Sequence, residues 1–163
     1  MFDERSRRNL EFVDAAAMTA RQDALLRDHV RHAAQRSQFY RRLFASSGVD
    51  PAEIRSVADL PRLPLTDKSD LAQNEDQFLC VEMAEVADVC LTSGTTGRAV
   101  AMLQTDRDLE RVAFNEEISF RAAGISRDDV VLITAAIDRC FMAGLAYFLG
   151  LRRIGATAIR GGS

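Results

Sequence analysis

Helical periodicity dominates the first part of the chain. Leu10, Val13, Ala17, Leu25, Leu26, Val30 and Ala33 recur at roughly helical spacing within residues 5–36, which contain neither Gly nor Pro; one or two amphipathic helices are expected there. Ser37-Gln38-Phe39-Tyr40-Arg41-Arg42-Leu43-Phe44 reads as another short helix ending near Gly48. Asp50 before Pro51 marks a further helix start, with Asp50 as N-cap and Pro51 in the first turn. Pro61 and Pro64 then impose an extended segment, after which Thr66 is placed to cap a helix through Leu71. Residues 1–75 thus form a helical leader.

Beyond the leader the pattern changes. Val86-Ala87-Asp88-Val89-Cys90-Leu91 and Ala99-Val100-Ala101-Met102-Leu103 read as strands, joined most simply as an antiparallel pair by the loop between them. Thr105 or Asp106 caps the next helix, with acids in its first turn where they suit the macrodipole. Leu109, Val112, Ala113, Ile118 and Phe120 supply its apolar positions, and Gly124 stops it. Residues 129–135 read as a short strand buried on both faces, residues 141–153 as a helix ended by Gly155, and residues 156–159 as the following strand. Strand, helix and strand over so short a span form a right-handed parallel βαβ crossover. The expected fold class is α/β: the leader, then a partial mixed sheet over residues 76–163.

The densest candidate chemistry lies in the loop between the first two strands, Leu91-Thr92-Ser93-Gly94-Thr95-Thr96-Gly97-Arg98. Gly94 and Gly97 leave no Cβ in the way of a close approach to backbone N–H groups, and Ser93, Thr95 and Thr96 add hydroxyl donors, a combination suited to a polyphosphate. A Walker loop is excluded, because no Lys-Ser or Lys-Thr follows Gly97 and a strand, not a helix, comes next. A Thr/Ser/Gly cluster between strands also reads as a simple turn. Gly144 and Gly150 in the later helix point to close approach of a neighbour or ligand, with tight helix-to-sheet packing as the structural explanation.

Composition narrows the partners. The chain has 163 residues, 47% hydrophobic and 28% charged, enough for a sizeable core. A net charge of −3 gives no electrostatic reason to expect nucleic acid or an anionic membrane, and no apolar run approaches the ~20 residues that span a bilayer. The charged N-terminus lacks the apolar core of a secretory signal, so a cytoplasmic location is expected. Cys80, Cys90 and Cys140 lack metal-site spacing and are expected to be free thiols. His29 and His32 are spaced for a metal, but without an evident third ligand they read as solvated or packed.

The string Thr92-Ser93-Gly94-Thr95-Thr96-Gly97 resembles the phosphate-binding signature of the acyl-adenylate-forming enzymes, the AMP-dependent synthetase and ligase superfamily. Val30-Arg31-His32-Ala33, Phe39-Tyr40-Arg41-Arg42 and Leu63-Pro64-Leu65-Thr66-Asp67-Lys68-Ser69-Asp70-Leu71 look like the leader of its phenylacetate-CoA ligase family, and the likeness runs from about residue 20 onward. The resemblance implies the N-terminal part of an ATP-dependent acid–thiol ligase, with ATP, Mg²⁺ and CoA as cofactors and a small carboxylic acid as substrate. It places Thr92, Ser93, Gly94, Thr95, Thr96 and Gly97 at the nucleotide phosphates and Phe141 and Gly144 in the acyl pocket.

The chain departs from the pattern at several places. Ala99 stands where the family usually has proline. Val100 stands where many members of the wider superfamily have lysine, but phenylacetate-CoA ligases often lack that lysine too, so this departure favours the narrower family. Asp138 and Arg139 replace expected glycine or aromatic residues; they face either the pocket or, as an ion pair, solvent. Family enzymes are also much longer, and the motifs for adenosine, magnesium and the catalytic lysine would fall beyond Ser163, so little or no ligase activity is expected of this chain alone. The rival reading is a non-catalytic interaction module, homo-oligomeric or otherwise, that pairs through an exposed edge strand at residues 156–159.

Overall fold

The computed structural model describes residues 13–92, 99–138 and 140–162. Two compact units divide the chain, Met1–Cys80 and Val81–Ser163.

The first unit is helical. Helix α1, Ala15–Arg36, starts at Asp14, whose carboxylate accepts from the Ala17 N–H at 2.7 Å; residues 5–12 of the expected helical stretch lie outside the described residues. Helix α2, Gln38–Ser47, follows without a loop because Ser37 serves both ends: its backbone N–H bonds the Ala33 carbonyl, and its hydroxyl accepts from the Tyr40 N–H at 3.2 Å. The same hydroxyl donates to the Gln77 carbonyl at 2.8 Å, so a fully buried polar residue is satisfied. Gly48 ends α2 in the left-handed conformation (φ 64) that carries least penalty for glycine.

Val30, Phe44 and Ile54 form the core of this unit, with Leu26, Tyr40, Val49 and Leu63 against them. Phe39 stacks on Phe78 with ring centroids 4.0 Å apart, and Tyr40 meets Phe78 edge-on at 5.4 Å. Between these contacts the chain makes two 3-10 turns, Pro51–Glu53 and Val57–Arg62. Pro61 therefore sits inside a tight helical turn, and only the segment around Pro64 is extended. Helix α3, Lys68–Gln73, is capped by Asp67 and not by Thr66: the Asp67 carboxylate takes the N–H groups of Ser69 and Asp70 while Asp70 bonds back to the Asp67 N–H. A carboxylate satisfies two orphan donors and suits the dipole, which a threonine hydroxyl does less well. A single helical turn, α4 (Glu75–Phe78), brings in Phe78.

The second unit is α/β. Strands β1 (Val86–Leu91) and β2 (Ala101–Thr105) pair antiparallel, with Cys90 opposite Met102 and Leu91 opposite Ala101. Helix α5 (Asp106–Ala122) starts at Thr105, which with Asp108 forms a reciprocal capping box. Strand β3 (Val130–Ile133), helix α6 (Met142–Ile154) and strand β4 (Thr157–Arg160) form the parallel βαβ unit. Among the described residues the strands make two separate two-stranded sheets, one antiparallel and one parallel.

Helices α5 and α6 pack closely because Gly150 has no side chain: a Cβ there would lie 2.4 Å from the Glu116 Cβ. Glu117, 1% exposed, is held between Arg121 and Arg153, each 3.0 Å away. Contrary to the sequence expectation, β3 is not buried on both faces. Ile133 is buried and Val131 half-buried, whereas Val130 and Leu132 are 64% and 59% exposed; the described sheet has only β4 beside it and nothing over its second face.

Candidate functional site

The β1–β2 hairpin determines where the candidate loop begins and ends. Residues 93–98, hence Ser93, Gly94, Thr95, Thr96 and Gly97, lie outside the described residues, but the neck that carries them is defined. Thr92 closes it twice: its N–H donates to the Val100 carbonyl at 3.0 Å, and its hydroxyl oxygen accepts from the Val100 N–H at 2.9 Å. Val100 is almost completely buried. The Thr92 hydroxyl still has a proton to donate, so the residue can latch the neck and also offer a donor toward an anion. Burial of Val100 accounts for an apolar residue at this position, since a lysine side chain here would bring a charge into the packed neck.

The neck is tied to the start of α6. The Leu91 N–H donates to the Cys140 carbonyl at 2.9 Å, so the end of β1 and the turn ahead of α6 share a backbone bond. Cys140 adopts a left-handed backbone (φ 58), uncommon for a residue with a Cβ. Phe141, the N-cap of α6, is 46% exposed and donates its N–H to the Asp138 carbonyl at 3.2 Å. Gly144 is buried one turn further on, where an added Cβ would sit 2.2 Å from the Ala136 carbonyl oxygen and 2.9 Å from that of Ala135. Glycine at 144 thus lets the 135–136 main chain lie directly on the helix.

Thr92, Phe141 and Gly144 are therefore carried by segments that touch: the hairpin neck, the turn before α6 and the first turn of α6. Sequence reasoning missed Cys140, whose carbonyl makes the link. No pattern signals it, because a backbone carbonyl is an acceptor in every residue type and a cysteine does not announce a left-handed turn. Asp138 is exposed, while Arg139, its expected partner, lies outside the described residues. Cys90 is buried beneath the neck, its sulfur accepting from the Gln104 side-chain amide at 3.7 Å. Burial, followed by the Asp88 charge, pushes its thiol pKa up.

His29 and His32 are exposed on α1, and among the described residues no group of three His, Cys, Asp or Glu is close enough to hold a metal ion. Nor is any described helix long and apolar enough to cross a membrane.

No family model matches the chain. Curated relatives do. The chain is 34% identical over 152 residues to the phenylacetate-coenzyme A ligase of Escherichia coli (strain K12), covering 92% of this chain and 34% of that protein. It is 36% identical over 151 residues to the enzyme of the same name from Thermus thermophilus, again over 92% of this chain and 34% of the relative. This chain is phenylacetate-CoA ligase-like. It spans about a third of the length of the curated relatives it matches.

Solved structures give the same result for the fold. A 2-hydroxyisobutyryl-CoA ligase in complex with 2-HIB-AMP and CoA, in the thioesterification state, matches all of this chain and 36% of its own with a TM-score of 0.87 at 26% identity. The same ligase in its postadenylation state, with R3-HIB-AMP, matches 96% of this chain with a TM-score of 0.87 at 24% identity. The fold of this phenylacetate-CoA ligase-like chain is that of the N-terminal part of acyl-CoA ligases.

Proposed function

We propose that the chain is the phosphate-loop part of an ATP-dependent acid–thiol ligase that activates a small carboxylic acid and transfers it to CoA. The observation that carries the reading is the hairpin neck, in which Thr92 and Val100 close a two-strand loop at the segment that leads into α6. Support comes from the relatives, named as phenylacetate-CoA ligases, and from the structural neighbour described with an acyl-AMP and CoA.

In this reading ATP supplies the phosphoryl centre that the carboxylate attacks, with pyrophosphate leaving. Ser93, Thr95 and Thr96 donate hydroxyl hydrogen bonds to the phosphate oxygens, Gly94 and Gly97 let those oxygens reach backbone N–H groups, and Thr92 holds the neck. These neutral donors stabilise charge that grows on the departing pyrophosphate, which is electrostatic positioning and not proton transfer. Phe141 and Gly144 are assigned to the acyl side, Phe141 as an apolar wall and Gly144 by allowing the 135–136 main chain to approach α6. Mg²⁺ enters with the nucleotide, and no described side chain is assigned to it.

Calorimetry of the chain with ATP and with pyrophosphate, in the presence of Mg²⁺, tests this. Binding that disappears in Thr95→Val with Thr96→Val is expected. Equal binding by both proteins, or none by either, would remove the phosphate role from the loop.

A second reading has its own observation. Leu132 and Ile159 face each other across the β3–β4 register and are 59% and 50% exposed, beside exposed Val130. A contiguous apolar strip on a two-stranded sheet suits association with another polypeptide. It predicts concentration-dependent self-association, and a monomer by light scattering at high concentration would count against it.

A further inference from the structure

A backbone bond at the hairpin neck brings two cysteine-bearing segments of the second unit together, and the phosphate-loop chemistry makes no use of either thiol. Cys90 is the last inward-facing residue of β1, and Cys140 is the exposed residue before α6. The 2.9 Å bond from the Leu91 N–H to the Cys140 carbonyl leaves only the covalent reach of one peptide unit on each side. It therefore places the Cα atoms of Cys90 and Cys140 within roughly 8 Å, a separation that overlaps the roughly 4.4–6.8 Å a disulfide bridges. Their environments differ in the way a redox pair requires: Cys140 is open to an oxidant in solvent, while Cys90 is covered.

We infer that Cys90 and Cys140 form a thiol–disulfide latch that hydrogen peroxide closes, bonding the end of β1 to the turn that carries Phe141. In the first step the Cys140 sulfur attacks one peroxide oxygen and the O–O bond breaks, giving a sulfenic acid at Cys140 and one water. In the second, the Cys90 sulfur attacks the Cys140 sulfur, the S–O bond breaks, and the hydroxide leaves as a second water with the Cys90 proton. Two thiols are oxidised by two electrons and one hydrogen peroxide is reduced. The closed latch adds a covalent link to the Leu91–Cys140 backbone hydrogen bond between the neck and the α6 turn. The inference stands independently of the ligase reading.

The test is oxidation of the 163-residue chain with one equivalent of hydrogen peroxide, alkylation of remaining thiols under denaturing conditions, and digestion with trypsin and Glu-C before mass spectrometry. The expected product has lost two hydrogens, carries one alkyl group on Cys80, and yields a peptide pair joined through Cys90 and Cys140 that dithiothreitol separates. Cys80→Ser should keep the joined pair, and both Cys140→Ser and Cys90→Ser should lose it. Cys140→Ser changes an exposed residue, so the result does not depend on tolerance of a change at the buried site. Recovery of Cys140 as sulfinic or sulfonic acid, a dimer linked through Cys140, or a bridge using Cys80 would each overturn the inference.

Discussion

The two units handle apolar surface in opposite ways. In the helical unit, the aromatic side chains of α2 and α4 close on one another, and exposed apolar residues stand singly, Leu60 on a 3-10 turn and Leu65 on the extended segment after Pro64. In the α/β unit, Val130, Leu132 and Ile159 lie side by side on the open face of the β3–β4 sheet. A helix can satisfy one apolar stripe against one neighbour, but a strand presents two faces and needs a layer on each. Among the described residues the helical unit closes its aromatic cluster on itself, whereas the β3–β4 sheet has one apolar face that α6 does not cover.

Perturbations rank accordingly. The largest effect is expected inside the α/β unit, where Glu117→Ala leaves Arg153 and Arg121 facing a hole between α5 and α6. Arg121 and Arg153 are 46% and 29% exposed, so neither is stranded as a buried charge; what is lost is two hydrogen bonds to a buried carboxylate, about 1.5–3 kcal/mol each, read as a fall in the denaturant midpoint. In the helical unit Ile54→Ala removes a side chain 1% exposed from the Val30 and Phe44 core, with an expected loss of about 2–5 kcal/mol in the same measurement.

Leu132→Thr sharpens the contrast, because it changes an exposed side chain of β3. Stability should move by no more than about 0.5 kcal/mol, while any self-association seen by sedimentation should weaken. A large loss of stability would mean that this face is already covered.

The smallest effect is a pH dependence at the entrance to β3. The Ser126 backbone N–H, and then its hydroxyl, hold the Asp129 carboxyl below its ordinary value of 3.8. A depressed carboxylate contributes stability above its unfolded pKa and loses it as pH falls through the lower folded one. Acid titration of Asp129→Asn should therefore show a shallower decline below pH 3.8 than the parent chain.

The elements that local chemistry dictates were legible in the sequence. Gly48 and Gly155 as helix stops, Thr105 as cap and the antiparallel pairing about residues 92–100 follow from side chains acting on their own backbone neighbours. What was not legible is which of several local hydrogen-bonding choices wins, and which distant segments cover a face or meet a backbone group. Asp67 displaced Thr66 as a cap through its reciprocal bond with Asp70, and Pro61 entered a 3-10 turn that Asp59 stabilises by bonding the N–H groups of Arg55 and Ser56. The open face of β3 was missed because four apolar residues in a row look the same whether one face or both are covered. At the candidate site the string of hydroxyl and glycine residues was readable, but the Leu91–Cys140 bond that joins its neck to α6 was not, since backbone groups leave no trace in composition.

The central claim is that the hairpin presents residues 93–97 to phosphate. It is tested most directly by following backbone amide resonances of the chain by NMR while pyrophosphate is added with Mg²⁺. The account predicts saturable shifts largest at Gly94, Thr95, Thr96 and Gly97, with smaller ones at Thr92 and Val100. Shifts confined to exposed arginines such as Arg27 and Arg31, with the loop amides unmoved, would contradict it.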